Sequence, residues 1–414
     1  GKIVNLESLL REQPMNATTG IAHTRWATHG KPNESNAHPH MAGGVAIVHN
    51  GIIENFRELR DSLQAVGRTF QSETDSEVIA QLLDQKISEG ADPVDAFEAT
   101  LAELEGAFAL AVIFDGQEGL MMGARRGSPL VLGYGDGEMY LGSDAIALAP
   151  FTRDVTYLEE GDWCVLTPDS FDIRNARGER VNRKRVASAV NDALIERGEY
   201  DHFMLKEIHE QPESIARSIM PYVDQVAGTL DIGTVATASF TAADRAVAIA
   251  CGTAYYAAFT AKYWFEQAAR LSFETDIASE FRYRQPVLPQ SGPALFVSQS
   301  GETADTLAAL RYCRQNGTTA VAIVNVPESS IAREAGAVVP THAGPEIGVA
   351  STKAFTAQLS VLAVMALAAA RARGHLLPGD EVKAVKNLLA LPRKVTEALE
   401  SQEQIAEIAK TLTQ

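Results

Sequence analysis

Residues 294–303 have the sequence ALFVSQSGET. The apolar residues Ala294 to Val297 predict a buried strand, and Ser298 to Thr303 predict a loop that leads into a helix. Similar apolar runs occur at residues 245–250, 319–324 and 337–339. Strands of this kind, alternating with helices, are typical of a parallel sheet that is covered on both faces. The second half of the chain is therefore predicted to be an α/β domain with a parallel sheet.

The loop at 298–303 is a candidate anion site. Hydroxyl groups and free N–H groups at a helix N-terminus attract anions, and Gly301 lets the backbone approach a ligand closely. Simple N-capping of the helix by Ser300 or Thr303 is the alternative. Ligands of parallel sheets bind beyond the carboxyl ends of the strands. Further loops at that end contain small hydroxyl residues, namely Thr253, Ser329, Ser330, Ser351 and Thr352. Their convergence predicts a phosphate site.

Two nucleotide-binding motifs are missing from this sequence. It contains no G-x-x-x-x-G-K-[ST] run, which argues against a nucleoside triphosphate, and no G-x-G-x-x-G run, which argues against a dinucleotide. The chain has 36 basic and 53 acidic residues and a net charge of −17. Such a charge repels nucleic acid, so no nucleic-acid partner is expected. A phosphorylated ligand would need a local set of N–H donors or a buried cation.

The composition is that of a soluble globular enzyme, with 46% hydrophobic and 21% charged residues. Three scattered cysteines favour reduced thiols and a cytoplasmic location. The apolar run at 359–370 belongs to a longer helical segment that Gln358 and Ser360 interrupt. It is shorter than the roughly 20 apolar residues that cross a bilayer, so it is predicted to be a buried core helix, without a membrane partner.

The first half of the chain has clustered strand and helix patterns. Strand-like runs occur at residues 44–48, 108–114, 130–132 and 139–141. Helical spacing occurs at 54–66 and 77–90, and the second of these is expected to have Asp75 or Ser76 as its N-cap. Strands and helices that occur in clusters, without strict alternation, predict a layered α+β domain. The basic, polar stretch after residue 173 predicts a solvated linker. The predicted domains are 1–173, a linker at 174–225, and 226–414.

Residues 23–30, HTRWATHG, and 48–52, VHNGI, place polar groups among these short strands. Arg25 could hold a carboxylate with two hydrogen bonds, and Asp75 could hold an ammonium group. Those are the two ends of an amino acid. Asn50 and the Gly51 N–H could form an oxyanion hole. His38 and His40 could supply two metal ligands, but carboxylate or thiolate partners at a recognisable spacing are lacking, so structural histidines are favoured.

These motifs have a family resemblance. Cys251-Gly252-Thr253 together with the loop at 298–303 resembles a SIS (sugar isomerase) domain, which binds phosphosugars. The string at 346–356, EIGVASTKAFT, narrows the resemblance to the first SIS domain of the glucosamine-6-phosphate synthase family. The first half resembles the glutamine amidotransferase domains that have an N-terminal nucleophile. Two unrelated motif sets thus occur in the order of this family.

The resemblance implies a role for each matching residue. In the first half it implies glutamine-carboxylate contacts from Arg25, Thr28 and His29, an α-amino contact from Asp75, an oxyanion hole of Asn50 and Gly51, and an ammonia gate at Trp26. In the second half it implies phosphate contacts from Ser298, Gln299, Ser300 and Thr303, and sugar contacts from Thr253, Val349 and Ser351. Ala254 stands where many members have a sugar-binding serine.

The resemblance also implies an activity, that of a glutamine–fructose-6-phosphate aminotransferase (isomerizing). L-Glutamine and fructose 6-phosphate would give glutamate and glucosamine 6-phosphate, in a homodimer without a metal or organic cofactor. A non-catalytic SIS sensor of phosphosugars is the alternative, and the amino-acid site around Arg25, Asn50 and Asp75 argues against it. Another amidotransferase, of the asparagine synthetase type, would need a pyrophosphate loop.

This sequence departs from the family pattern in two respects. The N-terminal Cys that opens family members, and the second SIS domain with its catalytic Glu, His and Lys, are not in it. We therefore expect a chain that holds much of both binding sites but not a complete catalytic set. Cys251 follows a predicted strand and is expected to be a small buried thiol of the core rather than a replacement nucleophile.

Overall fold

The structure, a computed structural model, describes residues 3–24, 33–188 and 197–412. The chain forms two compact units, Gly1–Asp192 and Ala193–Gln414, which are described separately. The first is a layered α+β unit and the second an α/β unit with a parallel sheet, as predicted.

Two antiparallel sheets form the centre of the first unit. The larger has the order β1-β2-β3-β4-β8-β9, and the smaller has the order β10-β7-β5-β6. The strands are β1 (His40–Ala42), β2 (Val45–Ile53), β3 (Gly106–Phe114), β4 (Met121–Arg126), β5 (Val131–Tyr134), β6 (Met139–Gly142), β7 (Asp154–Tyr157), β8 (Trp163–Thr167), β9 (Ser170–Arg174) and β10 (Arg185–Ala187). β2 pairs with β3 along its whole length, from Val45 opposite Phe114 to Ile53 opposite Gly106.

Helices cover the outer face of the larger sheet. The helices of this unit are α1 (Ile3–Glu12), α2 (Phe56–Ala65), α3 (Glu77–Ser88), α4 (Pro93–Glu103) and α5 (Ala145–Leu148). Leu63, Ile79 and Phe97 of α2, α3 and α4 share a core with the larger sheet. A second core, which includes Leu132 and Leu166, contains residues from both sheets. Alternate residues of each strand thus enter different layers, as the two-residue period of a strand requires.

The segment predicted as a linker, 174–225, is divided between the two units. β10 pairs with β7 in the first unit, and Arg183 donates two hydrogen bonds of 2.8 Å to the buried Asp162. Ile215 and Ile219 pack into a core of the second unit. The basic residues looked like a solvated stretch because their acidic partners come from an earlier part of the chain, and local sequence does not reveal such partners.

The second unit contains a five-stranded parallel sheet of order β14-β13-β15-β16-β17. Its strands are β13 (Arg245–Ala250), β14 (Ser272–Ile277), β15 (Ala294–Ser298), β16 (Ala320–Val324) and β17 (Ala337–Val338). Ala248 and Leu295 face one core, while Ile249 and Phe296 face the other. Both faces are covered, which is why the strands are almost continuously apolar.

Helices pack on both faces of this sheet. The helices of the second unit are α6 (Phe203–His209), α7 (Gln211–Ile219), α8 (Thr234–Thr241), α9 (Gly252–Ala268), α10 (Ala278–Arg284), α11 (Ala304–Gln315), α12 (Ser330–Glu334), α13 (Lys353–Ala372), α14 (Pro378–Leu389), α15 (Leu391–Leu399) and α16 (Gln402–Thr411). A 3₁₀ turn, Met220–Tyr222, precedes a two-stranded ribbon of β11 (Val223–Asp224) and β12 (Thr229–Leu230).

α13 is the long apolar helix of the chain. By length and composition alone it is the one helix of the described residues that could cross a membrane. Most of its side chains are instead buried in the core that it shares with α7 and α9. The prediction of a buried core helix at 359–370 is confirmed.

Candidate functional site

A cavity of about 330 Å³ opens at the carboxyl end of the parallel sheet. It lies at the end of β13. The next strand in the chain, β14, lies on one side of β13, and the strand after it, β15, lies on the other side. Such a change of direction in the strand order is the usual ligand position in an open α/β sheet. The structure brings every predicted sugar-phosphate residue to its wall: Thr253, Ser298, Gln299, Ser300, Thr303, Val349 and Ser351. Ala254 also lines it.

The hydroxyl groups of the loop after β15 support the loop itself. The Ser298 hydroxyl accepts a hydrogen bond of 3.0 Å from the Gly301 N–H and lies 3.0 Å from the Thr303 hydroxyl. The Ser300 hydroxyl accepts from the Glu302 N–H at 3.2 Å. Thr303 occupies the N-cap position of α11, but its side chain makes no capping bond. N-capping by Ser300 or Thr303 is therefore not the arrangement that the structure adopts.

Gly301 is required by the close packing behind this loop. Its φ is 66°, in the left-handed region, and a Cβ added there would lie 2.0 Å from the Ser329 hydroxyl oxygen. The Ser330 N–H donates to the Glu302 carboxylate at 2.7 Å. Ser330 thus holds the loop from behind, and Ser329 packs against Gly301. They do not line the cavity, which differs from the convergence that the sequence predicted.

A second loop, at residues 344–352, forms the opposite wall. The Glu346 carboxylate accepts from the Ser351 hydroxyl at 2.9 Å and from the Thr352 and Ala354 N–H groups at 2.8 and 3.0 Å. Because Thr352 and Ala354 begin α13, the carboxylate lies at the positive end of that helix. The bond from the Ser351 hydroxyl ties this predicted sugar contact to the same carboxylate. Sequence reasoning assigned Glu346 no role, although it lies in the string that narrowed the resemblance.

Helix α6 holds the same loop from the other side. Glu207 is 2% exposed, and its Oε1 accepts from the N–H groups of Ile347 at 2.5 Å and Gly348 at 2.9 Å. A Cβ on Gly348 would lie 2.5 Å from Glu207 Oε2. This buried carboxylate fixes the backbone just before Val349. Sequence reasoning missed Glu207 because its partners are far away in the chain.

The three cysteines have different environments. Cys164 and Cys313 are fully buried, and burial raises the pKa of each thiol to about 12. Cys251, predicted as a buried core thiol, is only partly buried and lines the cavity. It directly follows β13, at the carboxyl end of the sheet where the cavity lies, which explains the difference. In the described residues, no three His, Cys, Asp or Glu side chains are grouped as a metal site.

The first unit has a cavity of about 370 Å³ beside β2. His23, His49 and Asn50 are among its lining residues. Arg25, Trp26, Thr28 and His29, the predicted glutamine contacts and ammonia gate, lie outside the described residues. The geometry of this site is therefore given by β2 and the segment before α3.

Asn50 and Gly51 are consecutive residues of β2. The His23 Nε2–H donates to Asn50 Oδ1 at 2.7 Å, so the donor end of the amide is directed away from His23. Gly51 has a φ of 132°, and a Cβ there would lie 2.0 Å from the Ala107 carbonyl oxygen on β3. Only glycine fits this position, which places an amide donor and a backbone N–H side by side.

Asp75 forms a hydrogen bond with β2 at Ile53, two residues after Gly51. It is 2% exposed, and its Oδ2 accepts from the Ile53 N–H at 2.8 Å. N–H groups two residues apart along a strand point to the same edge, so the Gly51 N–H lies on the edge that Asp75 occupies. Asp75 precedes the N-cap position of α3, which Ser76 occupies without a capping bond. The Ser76 hydroxyl instead lies 2.8 Å from His49 Nδ1.

Glu77 shapes the segment that contains Asp75. Its buried carboxylate accepts from the Ser72 N–H and hydroxyl, each at 2.6 Å. The Ser72 hydroxyl lies 3.0 Å from that of Thr74, which in turn lies 3.1 Å from His40 Nε2. His40 is thus part of a hydrogen-bond network with Thr74 and Ser72. Sequence reasoning missed Glu77 because a charged residue in the first turn of a helix is expected at the surface.

Family models match both units. A SIS domain model matches residues 239–368, and a glutamine amidotransferase domain model matches residues 23–150. The two matches fall on the unit with the parallel sheet and on the unit with the antiparallel sheets, respectively.

Individual relatives match along the whole chain. A glutamine–fructose-6-phosphate aminotransferase (isomerizing) from Bradyrhizobium diazoefficiens is 54% identical over 412 residues, which is 100% of this chain and 68% of the relative. One from Caulobacter vibrioides is 54% identical over 415 residues, 99% of this chain and 67% of the relative. Among solved structures, the C-terminal domain of glucosamine-fructose-6-phosphate aminotransferase from Francisella tularensis is similar to 52% of this chain. The TM-score is 0.50 at 39% identity, over 60% of that structure.

Proposed function

The chain belongs to the family of glutamine–fructose-6-phosphate aminotransferases (isomerizing), and we propose that it takes part in the conversion of fructose 6-phosphate to glucosamine 6-phosphate with L-glutamine as nitrogen donor. The glutamine amide is hydrolysed to glutamate and ammonia. Ammonia condenses with the carbonyl of the open-chain ketose, and loss of water gives an imine. Isomerisation of that intermediate then gives the amino sugar.

We assign the binding of glutamine to the first unit. Asp75 holds the α-amino group, and Asn50 with the Gly51 N–H stabilises the oxyanion that forms when the amide carbon is attacked. The hydrogen bond between His23 and Asn50 supports this assignment, because it fixes the orientation of the Asn50 amide before the substrate binds. Arg25, Thr28 and His29 are assigned to the glutamine carboxylate, and Trp26 to the passage of ammonia.

The second unit is assigned the sugar phosphate. Ser298, Gln299, Ser300 and Thr303 bind the phosphate, and Thr253, Val349 and Ser351 contact the sugar. The observation that carries the proposal is that these seven residues, chosen from three separate loops, all line one cavity. In a chain of net charge −17, an anion needs local donors, and the start of α11 supplies backbone N–H groups and the positive end of a helix dipole.

Two further properties belong to the proposal. We place the protein in the cytoplasm, where its three cysteines, free in the structure, stay reduced. We also propose a homodimer. α9 exposes Tyr256, Phe259 and Tyr263 at 62%, 40% and 57%, and this spacing puts all three on one helix face. Exposed aromatic clusters of this kind are typical of protein interfaces. A sedimentation experiment that finds only monomer at working concentration would remove this part of the proposal.

Binding measurements test the sugar site. Titration calorimetry should detect fructose 6-phosphate binding, and Ser300→Ala should weaken it by about 1–3 kcal/mol because a phosphate hydrogen bond is lost. Ser291→Ala is the matched control, since Ser291 precedes β15 at the other end of the strand. Unchanged affinity in Ser300→Ala, with a folded protein, would reject the assignment of this loop to phosphate.

Glutamine binding tests the first unit separately. Asp75→Asn keeps an oxygen that can accept from the Ile53 N–H but removes the charge that would hold an ammonium group. We expect weaker L-glutamine binding in this variant, with fructose 6-phosphate binding unchanged. Asp61→Asn, an exposed carboxylate of α2, is the control. Equal glutamine affinity in Asp75→Asn and the parent chain would show that Asp75 is structural.

A further inference from the structure

Gln358 of α13 lines the cavity and has a buried side-chain oxygen without a partner in the described chain. It is 2% exposed and lines the cavity, and its Oε1 has no hydrogen bond to any described residue. Together with Ser360 it interrupts the apolar pattern of this helix. None of the roles assigned above uses it.

The neighbouring polar residues of the helix behave differently. The Ser360 hydroxyl donates to the Thr356 carbonyl at 2.8 Å, and the Thr356 hydroxyl donates to the Lys353 carbonyl at 3.2 Å. Both groups are satisfied inside the helix. An amide with an unpaired buried oxygen is costly to the folded chain and calls for an explanation. The cavity beside it gives one, because a bound molecule can supply the missing partner.

The chemistry of Oε1 limits what that partner is. An amide oxygen accepts hydrogen bonds and cannot donate them. The dianion of a phosphate monoester has no O–H and only accepts, so the phosphate group of a phosphosugar cannot pair with this atom. A sugar hydroxyl can donate to Oε1 and can also accept from the Nε2 group of the same amide. We propose that Gln358 binds a hydroxyl group of the sugar and so discriminates a phosphosugar from phosphate alone.

This inference rests on the proposed function of the cavity and adds a specificity residue to it. A site that is built to pair with a hydroxyl rejects molecules that lack the group, because its own buried polar atom is then left unpaired. The loop after β15 would thus bind the phosphate group, and Gln358 would bind a hydroxyl group of the sugar.

The experiment uses the whole chain, with fructose 6-phosphate and inorganic phosphate as probes in titration calorimetry. Gln358→Met keeps the length of the side chain and removes both polar atoms. We expect its affinity for fructose 6-phosphate to fall about tenfold, with its affinity for inorganic phosphate unchanged. Gln358→Leu should give the same pattern. Ser360→Ala, on the same helix, should leave both affinities as they are.

Thermal unfolding without ligand provides a second readout. Because the variant removes an unpaired buried oxygen, unliganded Gln358→Met should unfold at the same temperature as the parent chain or higher. Equal affinity for fructose 6-phosphate in Gln358→Met and the parent chain would overturn the proposal. So would a parallel loss of both ligands, which would make Gln358 a structural residue. If the parent chain fails to bind fructose 6-phosphate at all, the proposed function of the cavity fails, and the role of Gln358 fails with it.

Discussion

Gly301 allows the tight turn of the loop after β15, and adding a single methyl group, as in Gly301→Ala, tests this role. Its φ of 66° costs about 1–2 kcal/mol for any residue with a Cβ, and that Cβ would also collide with Ser329. Gly301→Ala should therefore lower the free energy of unfolding by more than the conformational cost alone, and it should weaken phosphate binding. Urea denaturation and calorimetry measure the two effects.

Gly317 is the matched control at the other end of α11. Its φ is 78°, and a Cβ there would meet no atom within 4 Å. Gly317→Ala should show only the conformational cost of about 1–2 kcal/mol, with unchanged phosphate affinity. If the two variants lose the same stability and bind phosphate equally well, the contact with Ser329 has no energetic importance.

The cysteines give a residue-level test of the cavity wall. Cys251 lines the cavity, whereas Cys164 and Cys313 are fully buried, and burial raises the pKa of both thiols to about 12. In the native protein, iodoacetamide should modify Cys251 well before the other two, since a thiol needs both access and a thiolate to react. Fructose 6-phosphate should slow the modification of Cys251. Mass spectrometry of the labelled peptides would contradict this if Cys164 or Cys313 reacted first.

Among the elements, α6 and the loop at 344–352 are coupled through one carboxylate. Glu207→Ala leaves the Ile347 and Gly348 N–H groups without their acceptor, at about 1–3 kcal/mol for each group that stays buried. We expect lower stability, weaker fructose 6-phosphate binding and faster proteolysis within this loop. Inorganic phosphate, which needs only the loop after β15, should bind nearly as well as before.

Glu213 of α7 offers a control for this element. It is exposed and pairs with Arg217 one turn along the same helix, and such surface pairs contribute about 0.3–0.5 kcal/mol. Glu213→Ala should leave the loop and both affinities unchanged. A Glu207→Ala protein that resists protease as the parent does would mean that the loop is held by other contacts.

At the scale of the whole molecule, the separate cores predict separate unfolding. Each core cluster of the described residues consists of side chains from one unit, so calorimetry should resolve two transitions. Fructose 6-phosphate at about 100 times its Kd should stabilise the second unit by about 2.7 kcal/mol, which is roughly 5–10 °C for a unit of this size. The other transition should stay in place. A single transition that moves as a whole would show that the units unfold together.

The sequence determined the strands that are apolar on both faces. β13, β15, β16 and the buried helix α13 were predicted at nearly their observed positions, because a strand or helix in the interior must be apolar over most of its length. The edge strand β14 was not predicted. Its residues alternate between buried positions such as Phe273 and exposed ones such as Glu274, and an edge strand with one polar face resembles a surface loop in sequence.

The loop motifs also identified the wall of the sugar-phosphate cavity, because close backbone approach and hydroxyl donors leave a local pattern of Gly, Ser and Thr. Tertiary structure alone decided which groups support that wall. Glu207, Ser329 and Gln358 act on residues that are distant in sequence or face a cavity formed by several elements. A hydrogen bond across a fold leaves no periodic trace in the chain. The sequence therefore determined the elements and the ligand loops, and the fold decided how buried carboxylates such as Glu207 hold those loops in place.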